Sequence, residues 1–136
     1  MLAVVDTGPL YAVTDTNDVD HQSSLQVLQR RDLQLIIPAL VVAETTYLIG
    51  TRLGSGAEAA FLNSLKDFHI EAPATDDWPL IAELVDRYSS FPLGGTDASV
   101  IALAARVDTD IVITLDRRRF SAIRPPHCEA FNLLPD

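Results

Sequence analysis

Short apolar runs, separated by longer stretches with helical spacing, limit what this chain can fold into. Leu2 to Val5, Leu35 to Ile37, His69 to Ala72 and Ile111 to Leu115 read as strands, with a last one near residues 129–131. Between them lie segments whose apolar residues recur every three or four positions, as in Ile81, Leu84, Val85 and Tyr88. The expected helices run over roughly 18–31, capped by Asn17 and Asp18, over 39–53 behind Pro38, and from Thr96 through DASVIALAARV. Fully apolar strands that alternate with helices form a parallel sheet covered on both faces. The fold expected is a three-layer α/β/α sandwich with a short-stranded, mainly parallel central sheet. At 136 residues it is expected to be a single domain, 1–136.

Two of these strands end in a carboxylate. AVVD at 3–6 stops at Asp6, followed by Thr7, Gly8 and Pro9, and VITLD at 112–116 stops at Asp116. In a parallel sheet both emerge on the edge beyond the carboxyl ends of the strands, where α/β proteins build their sites. Two further acids are oddly placed. Glu44 sits in the apolar helix segment PALVVAETTYLIG, and Asp97 sits in the first turn of the Ala-rich helix. Taken singly, each acid is as readily a helix cap, a turn-former or a half-exposed helix residue.

Together they pose an electrostatic problem. Four carboxylates at separations of ~6 Å cost roughly 3 kcal/mol per pair at an effective dielectric of about 20, and on the order of 15 kcal/mol for all pairs. That equals the whole stability of a small domain, roughly 5–15 kcal/mol. Such a cluster must hold protons, stay well solvated or hold a divalent cation, and an all-oxygen donor set suits Mg2+ or Mn2+. Thr7 and Thr114 stand beside these acids and can orient a carboxylate or a water. The three histidines, His21, His69 and His127, show no ligand spacing.

Composition sets outer limits. Hydrophobic residues make up 48% and charged residues 21%, which fits a globular chain. No apolar run nears the roughly 20 residues of a membrane span, and the first ten residues lack the basic region of a secretory signal. Cys128 is the single cysteine, which excludes an internal disulfide and fits a reducing cytoplasm. The net charge of −9 argues against nucleic-acid binding through a broad positive face. The densest positive stretch is Arg117-Arg118-Arg119.

The motifs in order, VVDTGPLYA, DVDH at 18–21, IPALVVAETTYLI, GGTDASVIALA and VITLDRRRF, resemble the PIN-domain ribonucleases over essentially the whole chain. Among these the chain is most similar to the VapC-type toxins of bacterial toxin–antitoxin pairs. The resemblance implies a PIN-like fold and a Mg2+- or Mn2+-dependent endoribonuclease that hydrolyses RNA phosphodiester bonds. It implies Asp6, Glu44, Asp97 and Asp116 as the catalytic and metal-binding acids, with Asp6 and Asp97 the principal ligands. Thr7 and Thr114 would support them, and Arg117 and Arg118 would hold flanking phosphates. A cognate antitoxin protein and a homodimer are implied too, with the apolar helices over roughly 38–65 as the dimer surface and no membrane partner. The chain departs from the family at position 119, where many relatives carry a further acid and this one has Arg119.

Rival chemistries lack their residues. An aspartic protease, suggested by DTG at 6–8, needs a β-rich fold; a receiver domain needs a lysine after a late strand, and Lys66 is mid-chain; a haloacid-dehalogenase-like phosphatase needs an acid at position 8, which is Gly8. The alternative that survives is a PIN-like module that binds RNA or protein without cutting.

Overall fold

A computed structural model of the chain, describing residues 1–136, places the short apolar runs side by side. The strands are β1 (Leu2–Val5), β2 (Gln34–Pro38), β3 (His69–Glu71), β4 (Ile111–Ile113) and β5 (Asn132–Leu134). They form one sheet in the order β3-β2-β1-β4-β5, and all four pairings are parallel. The order reverses between β1 and β4. Val4 pairs with Val112 and Val5 with Ile113, so the two strands end level with each other. Because parallel crossovers are right-handed, the helices of the two halves cover opposite faces of the sheet. The three-layer sandwich follows from that rule.

The helices are α1 (Thr7–Thr14), α2 (His21–Leu28), α3 (Ala39–Leu53), α4 (Ser55–Ser64), α5 (Asp77–Arg87), α6 (Gly95–Arg106) and α7 (Arg117–Ala122). A core of 25 buried apolar residues joins the strands to α6, whose residues Ala98 to Ala104 are all buried. Small alanines at 98, 102 and 104 let this helix lie close against its neighbours, with Val100 and Ile101 fully enclosed. Arg106 ties the end of α6 to the β3 side of the sheet. Its Nε donates to Asp77 Oδ2 at 2.9 Å and its Nη1 lies 3.0 Å from Glu71 Oε2.

Several boundaries differ from the sequence expectation. Helix α1 begins directly after β1, in a stretch to which the sequence expectation assigned no helix; Pro9 sits in the first helical turn, where its missing N–H costs no hydrogen bond. The helix expected over 18–31 is only His21–Leu28, because Asp18 is used in a turn, its Oδ1 accepting from the Asp20 N–H at 2.8 Å. The last strand lies at Asn132–Leu134 rather than 129–131, with Leu133 and Leu134 buried against β4.

The burial of Ile101 sets an expectation for its removal. Ile101→Ala should lower stability by about 3 kcal/mol and the melting temperature by about 10 °C. Val19→Ala, at a fully exposed position, should change stability by less than about 0.5 kcal/mol. Urea and thermal denaturation of the two variants checks both.

Candidate active site

Asp6 leaves β1 with its backbone still paired to β4, the Asp6 N–H donating to Ile113 O at 2.9 Å. Its carboxylate is only 7% exposed. The buried Thr114 hydroxyl donates to Asp6 Oδ2 at 2.8 Å and accepts from the Asp116 N–H at 3.0 Å. One hydroxyl therefore aligns both strand ends. Strand β4 stops at Ile113, short of the Leu115 expected, so Thr114 and Asp116 are related by this loop contact and not by sharing a face of the strand. Asp116 turns instead to cap α7, its Oδ1 accepting from the Arg119 N–H at 3.0 Å.

Asp97 occupies the first turn of α6, where its Oδ2 accepts from the Gly94 N–H at 3.1 Å. Glu44 comes from α3. Only Val41, Thr45 and Ile49 of that helix are buried, a stripe at every fourth residue, and Glu44 lies on the open side. Of the readings open to it from sequence, Glu44 is an exposed helix residue that also lies at the rim of a cavity. All four acids line one open cleft of about 410 Å3, together with Thr7, Gly8, Leu48, Leu115 and Arg119. It lies beyond the carboxyl ends of β1 and β4, where the strand order reverses and α/β sheets place ligands. A Cβ at Gly8 would stand 3.2 Å from Leu115 Cβ, a tight contact that Leu115, on the segment leading to Asp116, would have to yield to by a few tenths of an ångström.

The charges in the cleft act on one another. Burial pushes the Asp6 carboxyl up to about 6, against hydrogen bonds from Thr7 and Thr114 that favour its ionised form; Asp97 and Glu44 add repulsion. Burial also raises Asp97, opposed by the Gly94 N–H and Arg119 and reinforced by Glu44 and Asp116. Arg119 was not among the expected site residues. Its Nη1 lies 3.1 Å from Asp97 Oδ2 and 3.3 Å from Asp116 Oδ2. The sequence signal was the arginine at position 119, the point at which the chain departs from the family resemblance.

The other expected residues are dispersed. Thr7 is buried in the cleft wall and its hydroxyl has no hydrogen-bond partner. Arg118 is exposed in an adjoining cavity. Arg117 is directed elsewhere. Its Nη1 donates to Leu133 O at 3.1 Å and Pro135 O at 2.9 Å, so it fastens the C-terminal strand and does not face the cleft as a phosphate ligand would. His21 of the DVDH stretch is also outside, its Nδ1 bonding Ala12 O at 2.8 Å to join α2 to α1.

In donor chemistry the cleft suits a hard divalent cation, with carboxylate oxygens and an unpartnered buried hydroxyl and no sulfur or imidazole. In spacing, no three of the chain's acids, histidines or cysteine close around one point, and the positive charge between Asp97 and Asp116 is Arg119.

A PIN domain model matches residues 3–124 of the chain. Ribonuclease VapC26 of Mycobacterium tuberculosis is 33% identical over 134 residues, covering 97% of this chain and 99% of that protein. The chain belongs to the PIN-domain family, in its VapC ribonuclease branch. Its fold superposes on VapC20 of M. tuberculosis, described as a sarcin–ricin loop cleaving toxin, with a TM-score of 0.81 at 18% identity, covering 96% of this chain and 99% of that one. A toxin–antitoxin complex from Klebsiella pneumoniae matches with a TM-score of 0.66 at 20% identity, covering 89% of this chain and 92% of that one.

The buried Asp6 makes stability depend on pH in a defined direction. Its folded pKa of about 6 exceeds the ordinary 3.8, so the stabilisation gained by protonation is complete below pH 3.8 and lost as pH rises through 6. At neutral pH the ionised form costs about 3 kcal/mol. In EDTA, Asp6→Asn should therefore melt several degrees above the wild type at pH 7.5, and the gap should close near pH 4. Calorimetric scans across that range check it.

Proposed function

We propose that the chain, acting as one PIN-like unit over 1–136, is a Mg2+- or Mn2+-dependent endoribonuclease and the toxin of a toxin–antitoxin pair. One observation carries this: four carboxylates from four separate segments line a single cleft at the switch point of a parallel sheet. The family membership supports ribonuclease chemistry, and the match to a toxin–antitoxin complex supports an antitoxin partner.

Asp6 and Asp97 would be the principal holders of the cation, with Asp116 and Glu44 completing its surroundings directly or through water. The chemistry such a cation would supply there is a lowered pKa for a water and an offset to charge building on the scissile phosphate. Thr114 keeps Asp6 pointed into the cleft, and the Thr7 hydroxyl is free to bond a ligand or water. Glu44, solvated at the rim, is placed to accept the proton of an attacking water. Arg118 would meet a flanking phosphate. With a net charge of −9, selectivity would come from the shape of a structured RNA near these few cations.

Purified protein, freed of partner, should cut total RNA or sarcin–ricin loop RNA into discrete fragments with Mg2+ or Mn2+. EDTA should abolish cutting, and Asp97→Asn should slow it by on the order of a hundredfold while leaving the fold intact. RNA binding without cleavage under all these conditions would mark the protein as a non-catalytic module, the reading that Arg119 beside Asp97 and Asp116 favours.

The homodimer would form through α3 and α4, whose Tyr47, Leu53 and Leu62 are exposed. Tyr47 is 69% exposed, and Tyr47→Asp should shift the protein from dimer to monomer by light scattering.

A further inference from the structure

Three consecutive arginines open α7, and the helical rotation between neighbours sends each a different way. Arg117 is held by two backbone carbonyls and Arg118 is exposed. Arg119 places its guanidinium against two acids of the cleft. Its backbone and its side chain are held separately. The Arg119 N–H is fixed on Asp116 Oδ1, while the side chain is 32% exposed and is held by two ion pairs alone, a part-buried one to Asp97 and an exposed, weak one to Asp116. The guanidinium can therefore leave without unwinding α7.

Space to receive it adjoins the cleft. A second cavity of about 520 Å3 is lined by Ser90, Phe91, Pro92 and Arg118 and shares Asp116 and Arg119 with the first. Arg119 stands in the wall between them.

We propose that Arg119 is a resident counter-cation of the Asp97–Asp116 pair, which a divalent cation must expel from the cleft towards the adjoining cavity. This role rests on the cleft taking a divalent cation. In the absence of the metal, the guanidinium offsets repulsion between the two acids. It also accounts for the failure of any three acids to close around one point, since the space between Asp97 and Asp116 is already filled by positive charge. The metal enters only when the guanidinium gives up its two partly exposed ion pairs, which weakens metal binding by on the order of tenfold relative to a neutral side chain. Arg119 is a positioning residue: it acts through the carboxylates and tunes the metal concentration at which the cleft loads.

Isothermal titration calorimetry with Mn2+ tests this on partner-free wild type, Arg119→Gln and Arg119→Lys. Arg119→Gln should bind Mn2+ about tenfold tighter than wild type, and Arg119→Lys, which keeps the charge, should stay near wild type. A second measurement needs no variant: in 15N-labelled wild type, the Arg119 Nε–Hε resonance should move on titration with Mg2+, as the ion pairs break. Equal Mn2+ affinity in wild type and Arg119→Gln, weaker binding in Arg119→Gln, or an unmoved Nε–Hε resonance at saturating Mg2+ would overturn the role. No Mn2+ uptake by any of the three proteins would overturn the cation-binding cleft itself, and Arg119's role with it.

Discussion

The contact between Thr114 and Asp6 organises the cleft. Burying a carboxylate in the seam between two strands is unfavourable, and the Thr114 hydroxyl is the side-chain donor that offsets part of that cost. The same oxygen receives the Asp116 N–H and so fixes where the chain turns after β4. A valine in place of Thr114 would fill a similar volume and do neither. The sheet order makes the contact possible, because β1 lies beside β4 and their ends are level.

Around that contact the charges are arranged by depth. Asp6 is innermost and is held against a strong burial penalty; Asp97 and Asp116 lie further out, and Glu44 is solvated at the rim. Asp6 has neutral hydrogen-bond donors alone, whereas Asp97 and Asp116 each add a shared arginine to a backbone N–H. That gradient lets an acidic chain keep an acidic cleft folded without a metal. It also means that cations near the site are few: Arg118 is the one arginine of the 117–119 run that neither a carbonyl nor a carboxylate holds.

Much of this was legible in the sequence, for physical reasons that differ by element. Short apolar runs ending in aspartate revealed β1, β4 and the site edge, because a parallel strand is buried on both faces and a charge can only follow it. The GTDA segment revealed the start of α6 because small residues and a cap announce a helix. Helix α1 was hidden by Gly8 and Pro9, which favour a turn and a helix start equally well. Asn132 gave little sign of opening a strand, and β5 is defined mainly by what it covers. The directions of Arg117 and Arg119 depend on rotation about a helix only six residues long, and no local pattern encodes which of three adjacent arginines meets an acid. Glu44 looked oddly placed because its neighbours are apolar, but the stripe that packs is narrower than the apolar run.

The sheet order has a further consequence for how the protein is made. Asp6 is synthesised 108 positions before the hydroxyl that secures it. Strands β2 and β3 can join β1 as they emerge, leaving the other edge of β1 unpaired until Ile111–Ile113 arrives. A nascent chain therefore carries the first acid of its cleft long before it has the means to aim it. The cleft is assembled last, when the C-terminal quarter docks, so a chain cut short before β4 would keep half a sheet and no cleft.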